Sequence, residues 1–201
     1  NAWLGDGDSL DISGAPRIFD EVVDMGAYEL QAGPITLVDY SSGVVYVNDS
    51  FSSGGSGTSW INALAGNMPS CRYTGYTMLY EALRDAPDSC QVWVKNGEFK
   101  PCTDNDRLKS FHLYSGNKLY GSFAGAESDI MQRKITMNPT VFTGDIGIQG
   151  DSLDNSFNIV NTRYKPGSNG DSVIISGIVF RDANANGGSE NSNGGCIKND
   201  V

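Results

Sequence analysis

The sequence holds a single histidine, His112. Without a second histidine or an activated serine or cysteine motif, a zinc site or a catalytic triad has no support. His112, in the strand-like run FHLY, is expected to be an outward or hydrogen-bonded structural side chain. Cysteine is sparse. Cys71, Cys90, Cys102 and Cys196 show no C-x-x-C pairing, although four allow a disulfide and hence an oxidising compartment. No apolar run approaches the ~20 residues of a membrane helix, so no membrane insertion is expected. Positive charge is scarce as well. Lys plus Arg is 14 against 24 for Asp plus Glu, a net charge of -10 that repels phosphate backbones and disfavours nucleic acid. The chain opens on Asn1 with no charged-then-apolar leader, and is read as mature, processed or a fragment.

What abounds is turn chemistry. The 201 residues include 25 glycines beside many Asn, Ser and Asp residues. That length suggests one domain or one and a half, enough for a hydrophobic core. The region Ser110–Ile146 carries three short apolar runs, Phe111–Tyr114, Leu119–Phe123 and Val141–Ile146. Val44–Val47 begins a new unit, and further strands are expected at Gln91–Lys95, Phe157–Val160, Val173–Phe180 and Cys196–Lys198. No helical pattern is long enough to join them as βαβ units. The choice therefore lies among a sandwich, a barrel and a solenoid. One helix is expected, Met78–Ala86, because Leu79, Ala82, Leu83 and Ala86 share a face. Thr77 is its N-cap, and Pro87 stops it.

Motifs for chemistry are weak. Asp6, Asp8 and Asp11 lack the continuation of a calcium loop. Asp145, Asp151 and Asp154 form the nearest carboxylate group, with Arg133, Arg163, Lys165 and Arg181 as available bases. No spacing joins them into one site, and turn-forming aspartates with solvated bases are the expectation. A structural calcium is left open without a specific motif. Trp60 and Trp93 are expected to pack in the core, and Glu127 and Arg133 to pair and fix the loop before Asn138-Pro139. Asn48-Asp49-Ser50 matches a glycosylation sequon formally. No catalytic, cofactor or metal residue is assigned.

Several segments resemble a known family. Asp11, Gly14, Pro16-Arg17-Ile18 and Val23-Asp24-Met25-Gly26-Ala27-Tyr28-Glu29 look like a closing signature. Tyr46-Val47, Gly57, Ser59-Trp60, Val92-Trp93-Val94 and Lys100-Pro101 look like an opening. Gly121, Phe123, Glu127, Gln132-Arg133, Asn138-Pro139-Thr140 and Gly144-Asp145-Ile146 extend the match, and Gly194-Gly195-Cys196-Ile197 resembles a later coil. The chain thereby resembles right-handed parallel β-helix surface proteins of Bacteroidota, the choice-of-anchor Q domain and polymorphic outer-membrane-protein-like repeat proteins. Gly66–Gly75, GNMPSCRYTG, departs from that pattern as an insertion.

The resemblance implies an all-β fold, a right-handed parallel β-helix (solenoid) with a short N-terminal capping helix. Residues 1–31 would be the C-terminal end of a preceding β-helix and 32–43 a linker. Residues 44–201 would be the N-terminal cap and first coils of a second one, the natural protein continuing past both ends. Val141, Ile159, Ile174 and Ile178 would form the interior column. The implied function is a non-catalytic extracellular scaffold or adhesin module of a large secreted or outer membrane-associated protein, binding glycan or other surface proteins. The alternative is part of a carbohydrate-active enzyme such as a polysaccharide lyase. With this fold, Cys71–Cys102 is the first pair for a disulfide, no bridge is the other outcome, and Cys196 would be a buried free thiol. Ser9, Ser152 and Ser172 resemble Bacteroidota O-glycosylation sites.

Overall fold

The computed structural model describes residues 18–19, 22–23, 37–51, 54–70, 72–165 and 172–199. The chain divides into two compact units, Asn1–Ile35 and Thr36–Val201. In the first, β1 (Ile18–Phe19) pairs antiparallel with β2 (Val22–Val23), Ile18 opposite Val23. Asp6, Asp8 and Asp11 lie outside the described residues.

The second unit begins with β3 (Val44–Asn48), β4 (Leu64–Ala65) and the helix α1 (Met78–Asp85). Strands β5 (Gln91–Lys95), β6 (Gly97–Phe99) and β7 (Phe111–Tyr114) follow. Next come β8 (Lys118–Phe123), β9 (Thr140–Thr143) and β10 (Val160–Arg163), then β11 (Ile174–Ser176), β12 (Ile178–Arg181) and β13 (Ile197–Asn199). They form three parallel sheets, ordered β11-β8-β5-β3-β4, β12-β9-β6 and β13-β10-β7.

Strand formation follows local sequence. In QVWVK of β5, Val92, Trp93 and Val94 are all buried, as suits a parallel strand covered on both faces. Asn96 alone links β5 to β6, and Gly177 alone links β11 to β12. Gly177 has φ +73, and a Cβ on Gly121 would stand 2.4 Å from its carbonyl oxygen. Both glycines are therefore required where the two layers meet. By contrast, residues 124–139 separate β8 from β9 and include a 3-10 turn at Ile130–Gln132 capped by Asp129. The core gathers Val45, Val92, Phe99, Leu113, Leu119, Phe142 and Ile159 with the apolar side of α1. Each fully buried side chain of this kind contributes roughly 1.5–3 kcal/mol.

These sheets correct the expected fold class. The strands are parallel, but they form sheets of five, three and three strands rather than a regular right-handed solenoid. Their connections range from one residue to the long excursion after β8, so no uniform coil repeats. The helix covers one side of the sheets and is itself part of the core. It packs against β4 and β7, and Met78, Leu79, Tyr80, Glu81, Ala82 and Leu83 are all buried. Side-chain phase differs too. Ile159 is buried and Ile178 packs on the core, but Val141 is only half-buried beside the fully buried Phe142, and Ile174 is 40% exposed. Alternation has a period of two, so a strand misphased by one residue exchanges its faces.

Candidate functional site

Residues 66–70 and 72–75 fold back along α1, and Arg72 and Tyr73 wall one side of a cleft in the second unit. Thr77 caps the helix by accepting from Tyr80 N at 3.4 Å, and its hydroxyl donates to Lys100 O at 3.2 Å. Ahead of the cap, Pro69 bridges to Thr77, which turns the segment onto the helix. Arg72 then reaches two helical acids. Its Nε donates to Glu81 Oε1 and its Nη2 to Asp85 Oδ2, both at 2.6 Å. Glu81 is 1% exposed and also accepts from Ser70 Oγ. A carboxylate this deep is tolerable only because paired donors replace its water.

Around this pair lies a cleft of about 610 Å³, lined by Tyr40, Arg72, Tyr73, Arg84, Asp85 and Lys165 among others. The Arg84 guanidinium sits over the Tyr73 ring, 4.4 Å from its centroid, and donates to Tyr73 Oη and, at 3.0 Å, to Asp85 Oδ1. Tyr40 Oη donates to Ala82 O at 3.2 Å. Lys165 Nζ donates to Ala86 O at 3.2 Å and lies 4.0 Å from Asp88 Oδ1. Each cation of the cleft thus has an acid beside it.

Electrostatics keep the tyrosines neutral. Burial, then the Asp85 and Glu81 carboxylates, holds the Tyr40 hydroxyl well above the ordinary phenol range. Burial and Asp85 push Tyr73 upward as well. The hydrogen bond to Glu81 raises Arg72 further. At neutral pH the cleft offers phenolic hydroxyls, forked guanidinium donors and a carboxylate acceptor, with Leu37 and Val38 as an apolar flank. Such a set can hydrogen-bond a polyhydroxylated ligand while a ring packs on its apolar face.

The residues singled out in the sequence are scattered. Cys102 is a buried free thiol, its pKa pushed up to about 11 by burial first and Asp104 second. Its proposed partner Cys71 lies outside the described residues. Cys196 is exposed, which corrects the expectation of a buried thiol; it precedes β13, an edge strand. Ser152 and Ser172 are exposed, and Ser9 lies outside the described residues. Among the described residues no three His, Cys, Asp or Glu side chains converge as a metal site, and no helix is long and apolar enough to cross a membrane. Asp151 caps Leu153 N at 2.9 Å, and Arg181 pairs with Glu98. Of Arg133, Arg163, Lys165 and Arg181, only Lys165 lines the cleft.

His112 lies between tyrosines, its Nδ1 3.4 Å from Tyr80 Oη. Trp93 stacks on Phe123 at 4.6 Å, and Trp60 donates from Nε1 to Glu127 O at 2.8 Å. Glu127 and Arg133 fix the loop after β8 separately. Glu127 accepts from the amides of Ala124, Gly125 and Ala126, whereas Arg133 donates to Gly121 O and Ser176 O.

No family model matches the chain, and no match was found among curated proteins or solved structures. Tyr40, Arg72, Tyr73, Arg84 and Asp85 were not selected from sequence. Arg72 and Tyr73 stand in Gly66–Gly75, the segment that departs from the resembled pattern, and that departure was the available signal.

Proposed function

We propose that this chain is a non-catalytic module of a secreted or cell-surface protein, a scaffold or adhesin that binds neutral glycan in the Arg72–Tyr73–Arg84 cleft. One observation carries the reading: a cleft walled by half-buried tyrosines and guanidinium groups in which each cation already has an acidic neighbour. That balance suits an uncharged, hydroxyl-rich ligand better than a strongly anionic one. The surrounding surface agrees, since a chain of net charge -10 repels polyanions at long range. The glycan reading supports a cell-surface placement, and Ser152 and Ser172, which resemble O-glycosylation sites, are solvent-exposed as that reading requires.

The test is binding of the intact chain to immobilised neutral and acidic oligosaccharides, followed by calorimetry on any hit. Binding of a neutral saccharide, weakened at least tenfold by Tyr73→Ala, supports the proposal. Failure to bind any saccharide, or equal binding by the variant, overturns it. Release of unsaturated uronate products from an acidic polysaccharide would instead establish a lyase.

A further inference from the structure

The segment after β9 carries a second feature, independent of the cleft. Residues 144–156 close on themselves, because Ser156 N donates to Gly144 O at 2.8 Å. Asp145 Oδ2 accepts from Gly150 N at 3.1 Å, and Asp154 Oδ2 from Ile148 N at 2.6 Å. A Cβ on Gly147 would stand 2.2 Å from Asp154 Oδ2. Both carboxylates are thus folded back into their own loop. The other oxygen of each, Asp145 Oδ1 and Asp154 Oδ1, is buried without a hydrogen-bond partner.

Two neighbours repeat the pattern. Asn155 Oδ1 and Ser156 Oγ are also buried and unpartnered, on residues 5% and 0% exposed. Among the described residues, every buried side-chain N or O atom without a partner belongs to this loop except Asn161 Oδ1. All four are oxygens. An unpartnered buried acceptor is costly, and no ion pair to a described cation involves Asp145 or Asp154. One cation held in the loop would give these orphaned oxygens a partner. An all-oxygen set of two acids, an amide and a hydroxyl suits calcium, which accepts irregular geometry and completes its shell with water or carbonyls.

We infer that loop 144–156 is a calcium site held by Asp145 and Asp154 and completed by Asn155 and Ser156. With two charged ligands its affinity belongs in the weak extracellular class, a Kd of about 10⁻⁴–10⁻³ M.

The test titrates calcium chloride into the chelator-treated intact chain by calorimetry, with melting and amide exchange measured in parallel. One equivalent should bind, Tm should rise by a few degrees at ~10 mM, and exchange should slow within 144–156. Asp145→Asn combined with Asp154→Asn should lose at least tenfold in affinity, whereas Asp151→Asn, whose carboxylate is engaged with Leu153, should not. No heat and no Tm shift in the wild type would overturn the inference, leaving water in the loop. Binding retained by the double variant, or exchange slowed elsewhere, would overturn it as well. The exchange readout on wild-type protein decides the matter even if the double variant fails to fold.

Discussion

The three sheets end differently on their two sides. On one side β4, α1 and the segment 66–77 cover β3, β6 and β7. Asn67, only 2% exposed, acts there as a substitute strand: its Nδ2 donates to Glu98 O at 2.8 Å and its Oδ1 accepts from Lys100 N at 3.2 Å. On the other side β11, β12 and β13 are all edge strands, and Ile174, Val179 and Ile197 are 40%, 48% and 40% exposed. Edge strands with exposed apolar side chains invite pairing with other chains. The comparison shows that irregular segments can finish a sheet edge as well as a strand does, provided that each backbone group finds a partner.

Shortening one side chain on each side should separate the two most strongly. Phe99→Ala, in β6 and 0% exposed, should cost about 3–5 kcal/mol in urea unfolding. Val179→Ala, half-exposed in β12, should cost below about 1 kcal/mol. Equal losses would mean that the bare side is buried in solution. Asn67→Ala should cost about 1–3 kcal/mol by stranding the Glu98 carbonyl and the Lys100 amide, with faster exchange at Lys100.

A smaller effect probes the connection between the layers. Burial alone would raise Glu127, but the amides of Ala124, Ala126 and Gly125 outweigh it and hold the carboxylate below the usual 4.5. Its folded pKa is depressed, so its stabilisation is complete above the unfolded value and is lost as pH falls through the folded one. Glu127→Gln should flatten the stability loss below about pH 4.5 and leave both sheet edges unchanged. The least perturbing measurement is thiol labelling at neutral pH. Cys196 on the bare side should react at once, and buried Cys90 and Cys102 only on unfolding. Rapid labelling of Cys102 would show that the covered side opens.

Local structure was legible where a short pattern decides it. Strand β5 matches the QVWVK run in both bounds, and α1 ends one residue before the expected Ala86, ahead of Pro87. Pairing was not legible, since apolar runs of similar composition do not say which strand adjoins which. Phase was lost at Val141-Phe142, where both neighbours are apolar. The cleft was hidden because Arg72 and Tyr73 meet Arg84 and Asp85 only after segment 66–75 folds back along the helix. Glu81 is absent from the apolar face of α1 that the sequence suggests, yet Arg72 and Ser70 make it an interior residue.

The unequal corners have a practical consequence for grafting. A foreign epitope spliced between Ala124 and Pro139 would ride outside the hydrogen-bonded ladders and leave the pairing of β8 with β5 and β11, and of β9 with β6 and β12, intact. One extra residue at Asn96 would instead slide β6 against Thr140–Phe142 and swing the Phe99 ring out of the interior. The same chain thus offers a permissive display position and a forbidden one on neighbouring layers.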